Sequence, residues 1–249
     1  MSATKKAPAK KGPQPAAKKS ATKAVVANKA VAPKKATVQP NVVRTRPVIV
    51  PVPAPVIDRE RFFAHIRRAL FGGRLNQEQV DGMTHILNKW EAKHARKDLR
   101  FLAYAFATTF HEVDATMQPI EEYGRGKRHD YGQPGPHDGQ IAFGRGYVMI
   151  THPENYERAD RRLGLKGKLV KNYDLALQPD IAADIMFGGM LEGWFTGKKL
   201  SDYISGTRAD VFNARRIING LDKAGLIAGY YHGFAEALTH TSTAAPVTA

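Results

Sequence analysis

Between Asp58 and about His240 the apolar residues recur at the three-to-four-residue spacing of helices that bury one face. Asp58 opens a helix through Phe62, Phe63, Ile66, Ala69 and Leu70, which Gly72 and Gly73 stop; Asn76 caps a second, with Val80, Met83, Ile86, Leu87 and Trp90 as its apolar stripe. Asp98 starts a third. Its stretch Phe101 to Phe110 carries no formal charge, which predicts a helix buried nearly all round. Pro179, at a first-turn position, opens a helix through Ile181, Ile185, Met186, Met190 and Trp194 that ends near Gly197, and two more are expected over Ala209 to Ile218 and Asp222 to Leu238. Tyr123 to Gly139 is rich in Gly, Pro and charge and predicts a loop; Gln140 to Thr151 predicts a short strand or hairpin. The fold class is therefore mainly α (α+β), helices round one core with a small β element.

Composition changes the picture for the first 56 residues. Of the 249 residues 38 are Lys or Arg and 23 are Asp or Glu, a net charge of +15. Ten lysines with Arg44 and Arg46 precede the first acid, Asp58, so +12 of that charge lies in the leading segment and only +3 beyond it. Residues 1–56 also hold nine of the 15 prolines and no aromatic residue. Such a segment cannot bury enough apolar surface to offset its ordering entropy, so a disordered Lys/Ala/Pro-rich basic tail is expected there, then a folded domain over 57–240 and a flexible C-terminus over 241–249. The chain has no cysteine, which removes disulfides, thiolate zinc sites and cysteine nucleophiles. No apolar run reaches the ~20 residues of a membrane-spanning helix, and no apolar core follows the basic start as a signal peptide requires.

The candidate chemistry rests on carboxylates. On the third helix Leu99, Leu102, Ala103, Phe106, Phe110 and Val113 form one stripe, and Glu112 points roughly 140° from its centre among Ala105, Thr108 and Ala115. A carboxyl on an otherwise internal helix, with small neighbours that leave room for a ligand, suits a proton donor; a last-turn Glu that simply reaches water is the plainer alternative. Glu121 and Glu122 follow on the loop past Pro119. Two carboxylates on different elements facing one cleft are what glycosidic hydrolysis needs, although Asp114, Asp130 and Asp138 compete on spacing alone. Arg145, between Gly144 and Gly146, could reach a carboxylate or a ligand, or could simply belong to a turn. The nine histidines show no metal-ligand spacing.

Taken together, AFATTFHEVDATMQPIEEYGRG (105–126), FGRGYVMITHPENY (143–156), DLALQPDIAADIMFGGMLEGWFTGKKLSDY (174–203) and ARRIINGLDKA (214–224) resemble glycoside hydrolase family 19, the chitinase-like group, and within it the bacteriophage and bacterial endolysin-type members. The resemblance covers roughly Asp58 to Leu238. It implies a lysozyme-like helical fold and cleavage of β-1,4 links next to N-acetylglucosamine with inversion. It makes Glu112 the proton donor and places the base in the Ile-Glu-Glu stretch, with Glu122 preferred to Glu121. Thr151 falls where the family holds the attacking water, Asn155 where an Asn contacts sugar, and Arg216 and Asn219 where residues support the acid or line the cleft. Tyr123, Tyr131 and Tyr147 are candidates for packing on a sugar, whereas Trp90 and Trp194 fit core stripes. Val113 and Met149 stand where many relatives have Thr and Gln, and Met149 bears on a sugar contact.

The expected function is an endolysin-type glycosidase acting on the peptidoglycan glycan strand, a monomer with neither metal nor organic cofactor, held in the host cytoplasm before release to the cell wall. A chitinase of the same mechanism is the nearest alternative. A nucleic-acid-binding protein is a remoter one, because the tail offers only non-specific attraction to polyanions; an anionic envelope or wall polymer suits it better.

Overall fold

The computed structural model describes residues 56–243. The expected basic tail, all but Val56, and residues 244–249 lie outside the described residues. In chain order the elements are β1 (Val56–Ile57), α1 (Arg59–Ala69), α2 (Gln77–His94), α3 (Leu99–Glu112), β2 (Ile120–Glu121), β3 (Arg145–Gly146), α4 (Pro153–Leu163), α5 (Lys168–Lys171), α6 (Pro179–Glu192), β4 (Ile204–Ser205), β5 (Arg208–Ala209), α7 (Ala224–Thr241) and β6 (Ser242–Thr243), with short 3₁₀ turns between them. The strands form three two-stranded antiparallel ribbons, β1–β6, β2–β3 and β4–β5. The fold is mainly helical with small β ribbons. Because Val56 and Ile57 pair with Thr243 and Ser242, β1 begins one residue before the expected domain boundary and β6 lies beyond the one at 240.

The first three helices begin where their caps predict. Asp58, Asn76 and Asp98 each accept a backbone N–H of the first turn, and Asn76 and Gln79 complete a reciprocal capping box. Every residue of α3 from Leu102 to Phe110 is buried, as the run without charge requires. Its principal partner is α7, through Phe106 stacked on Phe234 at 5.1 Å and Phe110 edge-on to Tyr230 at 4.7 Å. On the other flank α2 packs on α6, with Trp90 5.5 Å from Phe187 and Lys89 reaching Asp180 at 2.8 Å and Asp184 at 3.2 Å.

Three elements depart from the sequence pattern. α6 ends at Glu192 with Gly193 left-handed (φ 79°), and the chain folds back so that the Trp194 and Phe195 rings lie over Gly188 and Gly189. A β-carbon on either glycine would stand 2.1 Å from the ring above it, so these positions fix the reversal. Trp194 is thus buried but sits beyond the helix. The helix expected over Ala209 to Ile218 is instead the strand β5 followed by a 3₁₀ turn, Asn213–Ile217. α4, which the pattern leaves unassigned, carries its own signals: Pro153 in the first turn and Gly164 as a left-handed C-cap.

Candidate active site

A cleft of about 670 Å³ opens where the C-terminus of α3, the β2–β3 ribbon and the 3₁₀ turn before α7 meet. Glu112, the last residue of α3, lines it with 15% of its side chain exposed. Its partner is Arg215, only 4% exposed, whose Nη1 donates to Glu112 Oε1 at 2.5 Å while Nε donates to the Asp222 carbonyl at 3.1 Å. The guanidinium fork therefore fixes the carboxyl from behind through two anchors. Burial depresses the affinity of neighbouring His111 for protons, and its ring lies 6.5 Å from Tyr230.

The chain leaves α3 through a tight turn in which Asp114, Ala115 and Met117 have positive φ. It then lies against α2: a β-carbon at Gly82 would stand 1.9 Å from the Met117 carbonyl, so only glycine admits this approach. Gln79 and Gln118 side chains close the contact by donating to the Ala115 and Glu78 carbonyls. This approach sets the start of β2 close to α2.

Strand alternation then separates the two adjacent acids. Glu122 lines the cleft, whereas Glu121 pairs with Arg125 at 2.6 Å and is absent from the cleft lining. Glu122 is held on both oxygens: the Gly144 N–H donates to Oε2 at 3.0 Å and the Tyr131 hydroxyl to Oε1 at 3.3 Å. The Glu122 N–H donates in turn to the Gly144 carbonyl at 2.8 Å, continuing the ribbon. Tyr131 is clasped by His129, stacked at 4.9 Å, and by His152, edge-on at 5.2 Å. Burial and the facing Glu122 charge both raise the pKa of its phenol above the usual value, so the hydroxyl remains a donor. Asp114, Asp130 and Asp138 are exposed and outside the cleft.

Thr151, Asn155, Asn219 and Tyr123 line the same cleft, and Tyr123 is 80% exposed at its rim. The Asn155 amide is oriented: Nδ2 donates to the Thr151 carbonyl at 2.9 Å and Oδ1 accepts from Arg158 at 3.0 Å, leaving one N–H without a partner among the described residues. Met149 also lines the cleft, with φ 50°.

Two expected site residues are corrected. Tyr147 is wholly buried in the core, so it cannot pack on a sugar. Arg216 is exposed, and its Nε reaches only Asn213 Oδ1 at 3.4 Å. Its neighbour Arg215 pairs with Glu112 instead, because in the 3₁₀ turn Ala214, Arg215 and Ile217 face inward while Arg216 faces out. The family resemblance, which pointed to Arg216, is therefore off by one position here. Arg145 is likewise internal: it donates to the Ile141 and Phe143 carbonyls at 3.0 and 3.1 Å, pairs with Asp174 at 2.9 Å and lies 3.6 Å from the Phe143 ring centroid. It braces the hairpin that carries Gly144. Among the described residues no group of three or more acids and histidines is placed to hold a metal ion, and no helix is long and apolar enough to cross a membrane.

The sequence matches no protein-family model and none of the curated proteins. Solved structures do match. Chitinase C from Streptomyces griseus HUT6037 aligns over 78% of this chain and 80% of its own, at 20% identity and a TM-score of 0.51. A variant of chitinase C aligns over 76% of this chain and 95% of its own, at 19% identity and a TM-score of 0.43. A bacterial family 19 chitinase aligns over 73% and 94%, at 18% identity and a TM-score of 0.44. The chain thus has a family 19 chitinase-like fold.

Proposed function

We propose that the protein is an inverting glycoside hydrolase that cleaves β-1,4 bonds of the peptidoglycan glycan strand. The observation that carries the reading is the pair Glu112 and Glu122, delivered from a helix end and a strand end into one cleft and each held by its own donors. Glu112 in its protonated form gives its proton to the glycosidic oxygen as the bond to the anomeric carbon breaks, and the carboxylate left behind is the form that pairs with Arg215. Ionised Glu122 takes a proton from a water that forms the new bond to that carbon on the opposite ring face, and the configuration inverts. Glu112 ends ionised and Glu122 protonated, and proton exchange with solvent restores both. Thr151 is suited to help hold the water, and Asn155, Asn219 and Tyr123 to contact sugar. No step requires a cofactor.

The endolysin-like sequence runs and the +12 leading segment, drawn to an anionic envelope, favour peptidoglycan. The second reading, a chitinase, is favoured by the likeness to chitinase C. Initial rates on purified peptidoglycan and on soluble chitin oligomers separate the two. Release of reducing ends from peptidoglycan is expected, and turnover of chitin alone overturns the lytic reading.

The choice between the adjacent acids has its own test. Glu122→Gln is expected to lower the rate by about 10²-fold or more, the scale of a lost general base. Glu121→Gln should stay within about threefold, since an exposed ion pair with Arg125 contributes little. The reverse order in rate assays would assign the base to Glu121.

A further inference from the structure

We infer that a second groove beside the cleft binds carboxylates carried on the glycan strand; the inference rests on the glycosidase reading and adds to it the chemistry that selects the strand. This groove, about 390 Å³, lies between α4 and the reversal after α6 and shares Phe195 with the main cleft. Its charged lining is two guanidinium groups, Arg158 and Arg162, one helical turn apart on α4, and one carboxylate, Glu192.

Neither guanidinium is consumed by the protein. Arg158 uses only Nη1, toward Asn155 Oδ1 and the Trp194 carbonyl; its Nε and Nη2 have no hydrogen-bond partner among the described residues. The acid beside Arg162 is Glu192, whose Oε2 is 3.7 Å away, beyond hydrogen-bond distance, and already accepts from Trp194 Nε1 at 3.0 Å. The Arg162 side chain is 58% exposed. The exposed Lys198 follows Gly197 at the end of the groove and adds a further positive charge.

A guanidinium fork with free N–H groups binds a carboxylate through two parallel hydrogen bonds. A polymer of N-acetylglucosamine is neutral and offers the groove nothing. A peptidoglycan strand carries carboxylates on its stem peptides, and on its lactyl ethers where the peptide has been removed. A strand lying in the cleft against Asn155 passes the residue that Arg158 orients, so an acidic substituent in the adjoining groove adds affinity that chitin cannot gain.

The test uses full-length protein carrying Arg162→Glu or Arg162→Lys, so that every variant keeps the same leading segment. On peptidoglycan at low salt Arg162→Glu is expected to lower kcat/KM by about fivefold or more through KM, the difference shrinking as salt rises. Arg162→Lys should retain most of the rate, and rates on neutral chitin oligomers should stay within about twofold for both. A second readout is independent of turnover: co-sedimentation of Glu112→Gln protein with peptidoglycan, with and without Arg162→Glu, should show the same salt-sensitive loss. Equal losses on both substrates, or unchanged peptidoglycan binding, overturn the groove's role. Failure of the unsubstituted protein to cleave either glycan overturns the glycosidase reading instead, and the sedimentation comparison still reports on the groove.

Discussion

Glu112→Gln is expected to lower glycan cleavage by about 10²- to 10⁴-fold, because the amide cannot give a proton to the leaving oxygen. The substitution keeps the side chain's size and leaves an oxygen facing Arg215, so the cleft should keep its shape. It does remove the charge that balances a guanidinium 4% exposed, and a charge-assisted hydrogen bond contributes about 1.5–3 kcal/mol. A modest fall in the thermal midpoint should therefore accompany the loss of activity, with the protein still folded at assay temperature. Reducing-end release measured beside an unfolding curve checks both. A fall of less than tenfold would remove Glu112 from the role of acid.

Arg215→Ala is expected to damage stability and activity together. It removes the Glu112 pair and the bond to the Asp222 carbonyl, and breaking a buried ion pair by deleting one partner costs about 3–5 kcal/mol. At roughly 2–4 °C per kcal/mol for a domain of this size, the thermal midpoint should fall by about 6–20 °C. Arg215→Lys separates the two effects. An ammonium keeps the charge but lacks the fork that reaches both anchors, so stability should recover in large part while the rate stays depressed by about tenfold or more. Full recovery of both would make Arg215 a structural counter-ion without a positioning role. Arg216→Ala is the control, expected within about twofold in rate and ~0.5 kcal/mol in stability, as an exposed residue allows.

The contrast between Arg215 and Arg216 shows where sequence reading fails. Both belong to one Ala-Arg-Arg-Ile-Ile-Asn run, and only the tertiary seating of the turn decides which faces inward. The resemblance matched the run to Arg216, and which of the two adjacent arginines turns inward is decided by the partners the turn meets, Glu112 and the Asp222 carbonyl. Tyr147 fails for a related reason. It stands between pieces of the cleft wall, Glu122 and Met149, yet the hairpin braced by Arg145 turns it into the core. The end of α6 is misplaced because Trp194 continues the apolar period; the glycines at 188 and 189 that let the chain fold back look, in the sequence, like ordinary small residues on a helix.

Local physics settled the starts of the first three helices in advance. Asp58, Asn76 and Asp98 begin helices because a short polar side chain satisfies first-turn N–H groups wherever it stands before an apolar period. The uncharged run of α3 had to be internal, since only a helix without charge can be surrounded by the core. Those features need no knowledge of distant residues, and they place Glu112 at the end of a buried helix. What the sequence could not decide is what meets it there. Arg215 lies 103 positions away, and Glu122 reaches the cleft because Gly82 admits the Met117 carbonyl and Gly144 closes on the Glu122 side chain. Such contacts depend on the final packing of elements far apart in the chain, and spacing along the chain carries no record of them.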